Sequence, residues 1–424
     1  MSRFIIHGGR RIGGVLVPSG NKNAVLPMLA ACVLTEEPVT LENVPLIDDV
    51  RTMLELLDGI GVEVSVQGHT VRLCAKGLRR SRLDPALCGK VRSSILLAGP
   101  LAARLGRATL SPPGGDVIGR RRVDTHFQGL AALGIEVEGG RDFVFRRRRL
   151  EGADMVLDEA SVTATENVLM ASVLAQGRTT IFNAACEPHV GDLALLLNKM
   201  GARIRGIGTN RLEVEGVEGL GGAVHKVQPD VIEIGSYMVA AAVTGGELRV
   251  TGVEPEPMMI VGRTFQRLGL RMQWAGADTV VQPRQRLKVV KDFGAAIPKI
   301  EDGPWPMFPS DLMSVLLVAA TQAQGTILFF EKMFESRMYF VDHLISMGAG
   351  IVVCDPHRVL VTGPARLHSI SMASPDIRAG VALLIAALCA KGESVVHSAQ
   401  TIDRGYERVE EKLRALGADI VREE

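Results

Sequence analysis

Six glycines recur along the chain at the same point of a repeated pattern. Each follows an amphipathic helical segment, stands between two apolar residues and precedes a short run typical of a β-strand. They are Gly61, Gly134, Gly201, Gly269, Gly348 and Gly417. Subtracting these numbers gives intervals of 73, 67, 68, 79 and 69 residues. A regular interval indicates a supersecondary unit that is repeated, here in six copies.

A second feature of each copy lies upstream of its glycine: a helix of small residues, a turn and a strand-like run. Five of the turns contain a glycine, which we expect to take the left-handed conformation after the helix. These are Gly106, Gly177, Gly246, Gly325 and Gly392, and the first copy has Glu36-Glu37 instead. With connecting strands added, the repeat is predicted to be βαβαββ, so the fold class is α/β.

The length of the chain predicts two domains. At 424 residues it exceeds what one hydrophobic core usually organises. Three repeats in each domain is the simplest division, with the boundary near Val227 to Asp230. We expect a ligand-binding cleft between two such domains.

Charge and cysteine content restrict the class of protein. The 48 basic and 47 acidic residues give a net charge of +1, which disfavours nucleic-acid binding. No apolar run approaches the ~20 residues needed to span a bilayer, and no secretory signal is visible. None of the six cysteines forms a CxxC pair. This usage is typical of a reduced, cytoplasmic protein without a metal site.

Basic residues occupy corresponding positions of the repeats. Lys22, Arg92 and Arg378 stand at predicted helix starts, where free N–H groups favour anions. Others lie in the loops after the second strand of their repeats, namely Arg120 to Arg122, Arg337 and Arg404. Arginine suits bidentate binding of carboxylate or phosphate. The pattern predicts an anion site, and the alternative is a set of solvated surface charges.

Two acidic residues stand out among these cations. Asp311 lies at a predicted helix start, where it is either a cap or, in a cationic site, a general base. Asp116 lies in PPGGDVIGRRRVDTH, after Gly114-Gly115. Such a loop can close over a substrate, and the alternative is a simple turn aspartate.

Several long blocks, in order along the chain, make the sequence similar to a known family. They are SGNKNAVLP, PPGGDVIGRRRVDTH, SVTATENVLMAS, FPSDLMSV, FESR, SPDIRAG and IDRGYERVEEKLRALGA. The chain resembles the enolpyruvyl transferases, and within them the UDP-N-acetylglucosamine 1-carboxyvinyltransferase branch. The resemblance implies two domains of three βαβαββ repeats, an inside-out α/β barrel. It also implies that domain I comprises residues 1–21 and 230–424, and domain II residues 22–229.

The resemblance implies a reaction as well. Phosphoenolpyruvate is joined to the 3′-hydroxyl of UDP-N-acetylglucosamine through a tetrahedral intermediate, and phosphate is released. This is the first committed step of peptidoglycan synthesis, and it needs no metal or organic cofactor. The implied partners are these two small molecules, with neither nucleic acid nor membrane.

The resemblance also implies roles for individual residues. The catalytic set is Lys22, Asp116, Asp311 and Arg404. Lys22, Arg121 and Arg404 hold phosphoenolpyruvate, Arg337 and Arg378 complete the cationic wall, and Asn23 contacts the sugar or the intermediate. Asp311 takes the proton of the attacking hydroxyl. The nucleotide is positioned by Arg92, Arg121, Arg122, Val123, Asp124, Thr125, Ser161, Val162 and Thr163, with Met333 near the sugar.

The chain departs from the common family pattern at three positions. Asp116 stands where a cysteine is usual and is expected to protonate the methylene carbon. Fosfomycin alkylates that cysteine, so we expect the chain to be insensitive to it. Arg122 replaces a usual proline, and Glu159 replaces a lysine of some members. Two alternatives remain: an enolpyruvyl transferase with another hydroxyl acceptor, and a non-catalytic binding protein of the same fold.

Overall fold

The computed structural model describes residues 2–424, which form fourteen α-helices, twenty-three strands and five short 3₁₀ turns. The strands are β1 (Arg3–His7), β2 (Gly14–Leu16), β3 (Val39–Glu42), β4 (Glu63–Gln67), β5 (Thr70–Cys74), β6 (Arg107–Leu110), β7 (Ile135–Glu138), β8 (Phe143–Arg147), β9 (Asp154–Val156), β10 (Arg178–Phe182), β11 (Arg203–Arg205), β12 (Arg211–Glu215), β13 (Ala223–Lys226), β14 (Leu248–Val250), β15 (Met272–Ala275), β16 (Asp278–Val281), β17 (Lys299–Glu301), β18 (Gly325–Phe330), β19 (Gly350–Asp355), β20 (Arg358–Gly363), β21 (Ser371–Ala373), β22 (Glu393–His397) and β23 (Asp419–Glu423).

The helices are α1 (Lys22–Ala31), α2 (Asp48–Gly59), α3 (Pro85–Cys88), α4 (Ala98–Leu105), α5 (Asp124–Ala132), α6 (Val162–Ser172), α7 (Pro188–Lys199), α8 (Val231–Thr244), α9 (Pro255–Gln266), α10 (Met313–Gln322), α11 (Val341–Ser346), α12 (Ile377–Cys389), α13 (Ala399–Asp403) and α14 (Val409–Ala415). The 3₁₀ turns are Cys32–Leu34, Ala75–Gly77, Arg92–Leu97, Phe293–Ala295 and Ser310–Leu312.

The chain divides into two compact units. The first unit contains the residues up to Ser19, the short segment Val117–Arg120, and Pro229–Glu424. The second unit contains Gly20–Asp116 and Arg121–Gln228. The chain thus crosses between the units near residues 20 and 228, and the loop around Asp116 is shared between them.

The strand order confirms the βαβαββ repeat. In the fifth copy the sheet order is β17-β18-β20-β19. Strand β17 pairs in parallel with β18, and β20 pairs antiparallel with both β18 and β19. The third and fourth copies follow the same order, β9-β10-β12-β11 and β2-β14-β16-β15, whereas the second has only three strands, β6-β8-β7. Strands distant in sequence complete two other sheets, because β13 pairs with β3 and β1 pairs with β22.

The six periodic glycines share one backbone conformation. Their φ angles are all positive, from 79° at Gly269 to 106° at Gly201. A Cβ is disfavoured there, and at Gly61 it would also lie 2.7 Å from the carbonyl oxygen of Gly77. One upstream turn was predicted wrongly: the left-handed residue that ends α8 is Gly245, not Gly246. Gly246 is needed for space instead, since a Cβ would lie 1.9 Å from the carbonyl oxygen of Ile12.

Each unit has apolar helices at its centre. In the first unit α8, α10 and α12 pack against one another, and in the second α6 packs against both α1 and α4. These helices are apolar almost all round, as expected of helices buried on every side. The sheets lie outside them and alternate between buried and exposed residues, as in β1 and β12. Each unit therefore has helices inside and sheets outside.

Across residues 2–424, the structure contains no helix with both the length and the apolar character required to cross a membrane.

Candidate functional site

The starts of the central helices position the predicted cations. Side-chain caps begin three of these helices: Asn21 caps α1, Asp230 caps α8 and Asp376 caps α12. The residues that follow the caps include Lys22, Asn23 and Arg378. Ser161 precedes α6 without a side-chain cap bond.

Two other central segments begin with 3₁₀ turns, Arg92–Leu97 and Ser310–Leu312. The residue before α10 is therefore Leu312. The interpretation of Asp311 as an N-cap is wrong, because its side chain lies inside the turn and meets two arginines.

These two arginines bind the Asp311 carboxylate in the first unit. Arg337 Nη2 donates to Oδ1 at 3.1 Å. Arg378 donates to Oδ2 from Nε at 3.0 Å and from Nη2 at 2.7 Å. Arg337 and Arg378 are only 4% and 5% exposed. We call these three residues the Asp311 cluster.

The Asp311 cluster has more cationic hydrogen-bond donors than the protein satisfies. Within residues 2–424, Nε and Nη1 of Arg337 and Nη1 of Arg378 are buried without a hydrogen-bond partner. Oε2 of Glu331 lies 4.0 Å from Arg337 Nε, too far for a hydrogen bond. An unsatisfied buried donor costs about 1–3 kcal/mol, and more when it is charged. The arrangement is that of a site for an oxygen anion.

The charge state of the cluster follows from its geometry. Burial by itself would lower the pKa of Arg378, but the interactions with Asp311, Tyr406 and Asp230 together outweigh it and the pKa is raised. Arg378 therefore keeps its charge. Its guanidinium also lies 5.5 Å from the centre of the Tyr406 ring, a cation–π distance. Burial raises the pKa of Tyr406 to about 12.

Two buried acids, Glu331 and Asp302, lie next to the Asp311 cluster. The Glu331 side chain is fully buried and accepts the Ser310 hydroxyl at 2.9 Å and the N–H of Met333 at 3.1 Å. Burial and the neighbouring carboxyl of Asp302 raise the pKa of Glu331. Glu331 therefore keeps its proton to a higher pH than a solvent-exposed carboxyl group does. Through the Ser310 hydroxyl, Glu331 holds the residue before Asp311.

The other predicted residues of the first unit lie on nearby segments of its chain. Arg404 directly follows α13 and is half-buried. Met333 is 40% exposed, and its backbone is held by Glu331 as described above. The contacts that define the Asp311 cluster do not involve the Met333 side chain.

In the second unit Lys22 forms a buried ion pair. Its Nζ lies 2.6 Å from Oδ2 of Asp49, and both side chains are less than one-tenth exposed. Asp49 belongs to the first turn of α2. Asn23, the next residue, is half-buried, and its backbone N–H bonds to the Asn21 cap at 2.8 Å.

Arg92 holds the backbone of the predicted nucleotide segment. Its Nη2 donates to the carbonyl oxygens of Arg121 at 2.7 Å and Arg122 at 3.1 Å. Burial and the charge of Arg121 lower the pKa of Arg92 to about 10, which still leaves it charged at neutral pH. Gly115, with φ 105°, passes so close that a Cβ would lie 3.0 Å from Cβ of Arg92.

The two segments predicted to hold the nucleotide meet through side chains at or just before the starts of α5 and α6. Thr125 donates to Glu159 at 3.3 Å, and His126 Nε2 lies 3.0 Å from Oγ1 of Thr163. Arg122 is bonded to Asp124 at 2.9 Å, at the start of α5. Val123 precedes that helix, and Ser161 and Val162 begin α6. The structure therefore brings the predicted nucleotide residues of the second unit together.

The loop of Asp116 divides at that residue. Asp116 is half-buried and ends its segment of the second unit. The next four residues belong to the first unit: Ile118 accepts the N–H of Ser336 at 3.1 Å, and the N–H of Arg120 bonds to Glu335 at 3.1 Å. The role of Asp116 as a proton donor stays a prediction.

Sequence reasoning missed four residues that shape these sites: Asp49, His126, Asn167 and Glu331. Asp49 could have been noticed, since Asp48-Asp49 opens α2 in the segment after the second strand, where other copies have arginine. No local signal distinguishes the other three, because the contacts that connect them to Ser310, Ile95 and each other span 21 to 72 positions of the chain.

Comparison with known proteins agrees with this geometry. The sequence model of the EPSP synthase (3-phosphoshikimate 1-carboxyvinyltransferase) family matches residues 6–413. Proteins named UDP-N-acetylglucosamine 1-carboxyvinyltransferase are similar along their whole length. That of Bradyrhizobium diazoefficiens is 53% identical, covering 99% of this chain and 98% of the relative. That of Treponema pallidum is 51% identical over all of both chains.

Solved structures of the same fold are also similar. The enolpyruvyl transferase NikO from Streptomyces tendae has a TM-score of 0.89 at 24% identity, covering 100% of this chain and 99% of that one. EPSP synthase from Acinetobacter baumannii has a TM-score of 0.77 at 18% identity, covering 100% of both chains. At these identities the likeness concerns the fold alone, and it confirms the predicted fold class.

Proposed function

Because the chain belongs to the EPSP synthase family of enolpyruvyl transferases, we propose that it is a UDP-N-acetylglucosamine 1-carboxyvinyltransferase. It transfers the enolpyruvyl group of phosphoenolpyruvate to the 3′-hydroxyl of UDP-N-acetylglucosamine and releases phosphate. Full-length relatives at 50% identity and above that have this name support the choice of acceptor. The reaction begins peptidoglycan synthesis, and the six free cysteines fit a reducing compartment such as the cytoplasm.

The observation on which the proposal depends most is the set of unsatisfied donors in the Asp311 cluster. Arg337 and Arg378 are fixed by Asp311 and still have three buried nitrogens without a partner in residues 2–424. An anion with several oxygens satisfies such donors, and phosphoenolpyruvate has both a phosphate and a carboxylate. With Lys22, Arg121 and Arg404, these arginines bind it and the tetrahedral intermediate in the proposed mechanism.

The proposed chemistry balances without a cofactor. Asp311 takes the proton of the 3′-hydroxyl while the oxygen of that hydroxyl forms a bond to C2 of phosphoenolpyruvate. Asp116 donates a proton to C3. The intermediate then loses a C3 proton to the Asp116 carboxylate, and its C2–O–phosphate bond breaks as the departing phosphate takes the proton from Asp311. Enolpyruvyl ether and phosphate result. Arg337 and Arg378 bind anionic oxygens of the substrate and the intermediate throughout. When they donate hydrogen bonds to the substrate instead of to Asp311, the Asp311 carboxylate becomes a stronger base.

The nucleotide is assigned to the residues that the second unit brings together. Arg92 fixes the backbone of Arg121 and Arg122, and the starts of α5 and α6 present Asp124 and Ser161. Asn23 and Met333 contact the sugar in the proposed complex. Arg122 and Asp124 are bonded to each other, so Arg122 adds less free positive charge than its identity suggests.

Phosphate release tests the proposal directly. We expect turnover with phosphoenolpyruvate and UDP-N-acetylglucosamine, and little with shikimate 3-phosphate or other UDP-sugars. Asp311→Asn should lower kcat by about 10²- to 10⁴-fold, the usual contribution of a general base. Asp355→Asn is the matched control, because Asp355 also accepts from an arginine, Arg358 at 2.7 Å, but in a strand hairpin. Unchanged turnover in Asp311→Asn would contradict the mechanism, and preference for another acceptor would contradict the substrate.

Fosfomycin tests the role of Asp116. The epoxide needs a thiolate, and residue 116 has none, so we expect no time-dependent inactivation. Asp116→Cys should create inactivation that phosphoenolpyruvate slows. The control is the unaltered chain, whose own Cys88 and Cys186 have thiol pKa values raised by burial. Inactivation of the unaltered chain at the rate of the variant would contradict the assignment.

A further inference from the structure

A buried histidine lies directly behind the segment assigned to the nucleotide. His126 is on α5 and only 1% exposed. Its ring contacts two side chains of α6: Nε2 is 3.0 Å from Oγ1 of Thr163, and Nδ1 is 3.0 Å from Nδ2 of Asn167. Thr163 is half-buried in the first turn of α6, whereas Asn167 is fully buried.

The surroundings of Asn167 fix the direction of these hydrogen bonds. Its Oδ1 accepts the backbone N–H of Gly99 at 2.7 Å, and its Nδ2 donates to the carbonyl oxygen of Ile95 at 2.8 Å. A backbone N–H can only donate and a carbonyl can only accept, so the amide has one orientation. Nδ2 therefore also donates to His126, and Nδ1 of the ring is the acceptor.

The tautomer of His126 follows from this direction. A neutral imidazole that accepts at Nδ1 has its proton on Nε2. That proton points at Oγ1 of Thr163, which is thus an acceptor from the ring. The hydroxyl proton of Thr163 is consequently directed away from His126. A threonine with a rotatable hydroxyl can usually donate or accept, but here the donor direction is selected.

Burial keeps the histidine in this state. Burial, and then the charge of Arg92, lower the pKa of His126 to about 3. A protonated ring would also turn an N–H toward the Asn167 N–H. At neutral pH, Asn167 therefore donates a hydrogen bond to His126, and His126 donates one to Thr163.

We propose that His126 and Asn167 are positioning residues that hold the Thr163 hydroxyl as a hydrogen-bond donor to an acceptor oxygen of the sugar nucleotide. The inference rests on the proposed function, because that function assigns Ser161 to Thr163 to the nucleotide. It adds a specificity rule: an oxygen of the ligand is favoured at this point, and a donor group is rejected. A site that satisfies its donor through a ligand oxygen discriminates strongly against ligands without one.

The kinetic test compares Thr163→Val with Thr163→Ser. Loss of one hydrogen bond of about 1–1.5 kcal/mol corresponds to a roughly five- to tenfold change in binding. Thr163→Val should raise KM for UDP-N-acetylglucosamine by about that factor, and leave KM for phosphoenolpyruvate unchanged. Thr163→Ser keeps the hydroxyl and should stay near the wild-type value. Equal KM values in the valine and wild-type proteins would overturn the proposal.

A double-mutant cycle tests whether His126 acts through Thr163. His126→Leu removes both ring bonds, whereas His126→Gln keeps a donor and is the conservative control. His126→Leu should raise the nucleotide KM in the wild-type background and add nothing in the Thr163→Val background. His126→Gln should recover part of the loss. Additive effects of His126→Leu and Thr163→Val would overturn the positioning role.

The tautomer is measurable without turnover or mutation. In protein labelled with ¹⁵N-histidine, His126 should show a bonded proton on Nε2 and none on Nδ1 at neutral pH, and the opposite result would overturn the inference. Calorimetric binding of UDP-N-acetylglucosamine to wild type and Thr163→Val separates the two claims. Weaker binding by the variant without any turnover contradicts the proposed function but supports the inference. Normal turnover with equal binding contradicts only the inference.

Discussion

The free energy of unfolding should decrease at acid pH in part because of His126, whose imidazole is buried in its neutral form. In the unfolded chain it titrates near 6.5, and in the folded protein its pKa is about 3. Between these values the unfolded state binds the extra proton, so stability is complete above about pH 6.5 and falls as the pH drops toward 3. The slope for one proton is about 1.4 kcal/mol per pH unit, so the loss between about pH 6 and pH 4 is roughly 2 to 3 kcal/mol.

His126→Gln removes the titrating group and should remove this loss. The variant loses a ring bond and is expected to be less stable at neutral pH, but the difference between the two proteins should shrink by about 2 to 3 kcal/mol from pH 6 to pH 4. Comparing the two proteins cancels the carboxyl groups that titrate in the same range. The same substitution at His397, whose ring contacts the Ser371 hydroxyl at 2.9 Å in the first unit, is the control for the exchange itself.

The assay has to report on the second unit. Both tryptophans, Trp274 and Trp305, belong to the first unit, so their fluorescence follows the wrong part of the chain. Amide hydrogen exchange in α6, corrected for intrinsic rates at each pH, gives the free energy of unfolding where His126 packs. A difference between wild type and His126→Gln that stays constant from pH 6 to pH 4 would refute the reasoning, because the histidine would then not be buried in the neutral form.

Two further predictions concern the buried acids. The pKa of Glu331 is raised by burial and then by the carboxyl of Asp302, so stability falls as the pH rises above the usual pKa of a glutamate. Asp302→Asn removes the second of these causes and should make that fall smaller, as measured by the fluorescence of the tryptophans of the first unit. An unchanged pH dependence would contradict this prediction. Asp49→Ala should lower the free energy of unfolding by about 3–5 kcal/mol, because it removes the carboxylate that is paired with the buried Lys22 ammonium. The double variant Lys22→Met with Asp49→Leu should recover most of that loss in denaturant titrations. Equal stability of the single and double variants would contradict this prediction.

The repeat could be predicted from sequence because its signals are local. The positive φ at Gly61 or Gly417 favours glycine at that single position, whatever lies elsewhere in the chain. The apolar helices before and after the glycine are recognisable from their own periodicity. The same local reasoning failed by one residue at Gly246. Two adjacent glycines satisfy the turn equally well in sequence, and only the carbonyl of Ile12, a residue distant in the chain, decides between them.

The cationic residues of the candidate site could be predicted from the sequence, but the side chains with which they pair could not. Lys22 and Arg378 were found because helix starts are visible in the sequence. Their partners were not found, because a buried pair is decided by packing. His126 illustrates the limit: its function as a donor depends on Asn167, which is oriented in turn by the backbone of another helix.

The repeats explain why such pairs escape prediction. The segment after the second strand contains Asp49 in the first copy, Arg121 in the second and Arg337 in the fifth. The repeat thus provides a similar location in each copy but does not determine the sign of the charge there. Pairing within one repeat, as between Lys22 and Asp49, can be inferred once the repeat is aligned with itself. Pairing between repeats cannot: Arg378 of the sixth copy joins Asp311 of the fifth. That contact depends on the packing of α12 against α10, and therefore on the small residues of both helices. The composition of the central helices thus determines which charges meet, although none of their small side chains touches a substrate in the proposed mechanism.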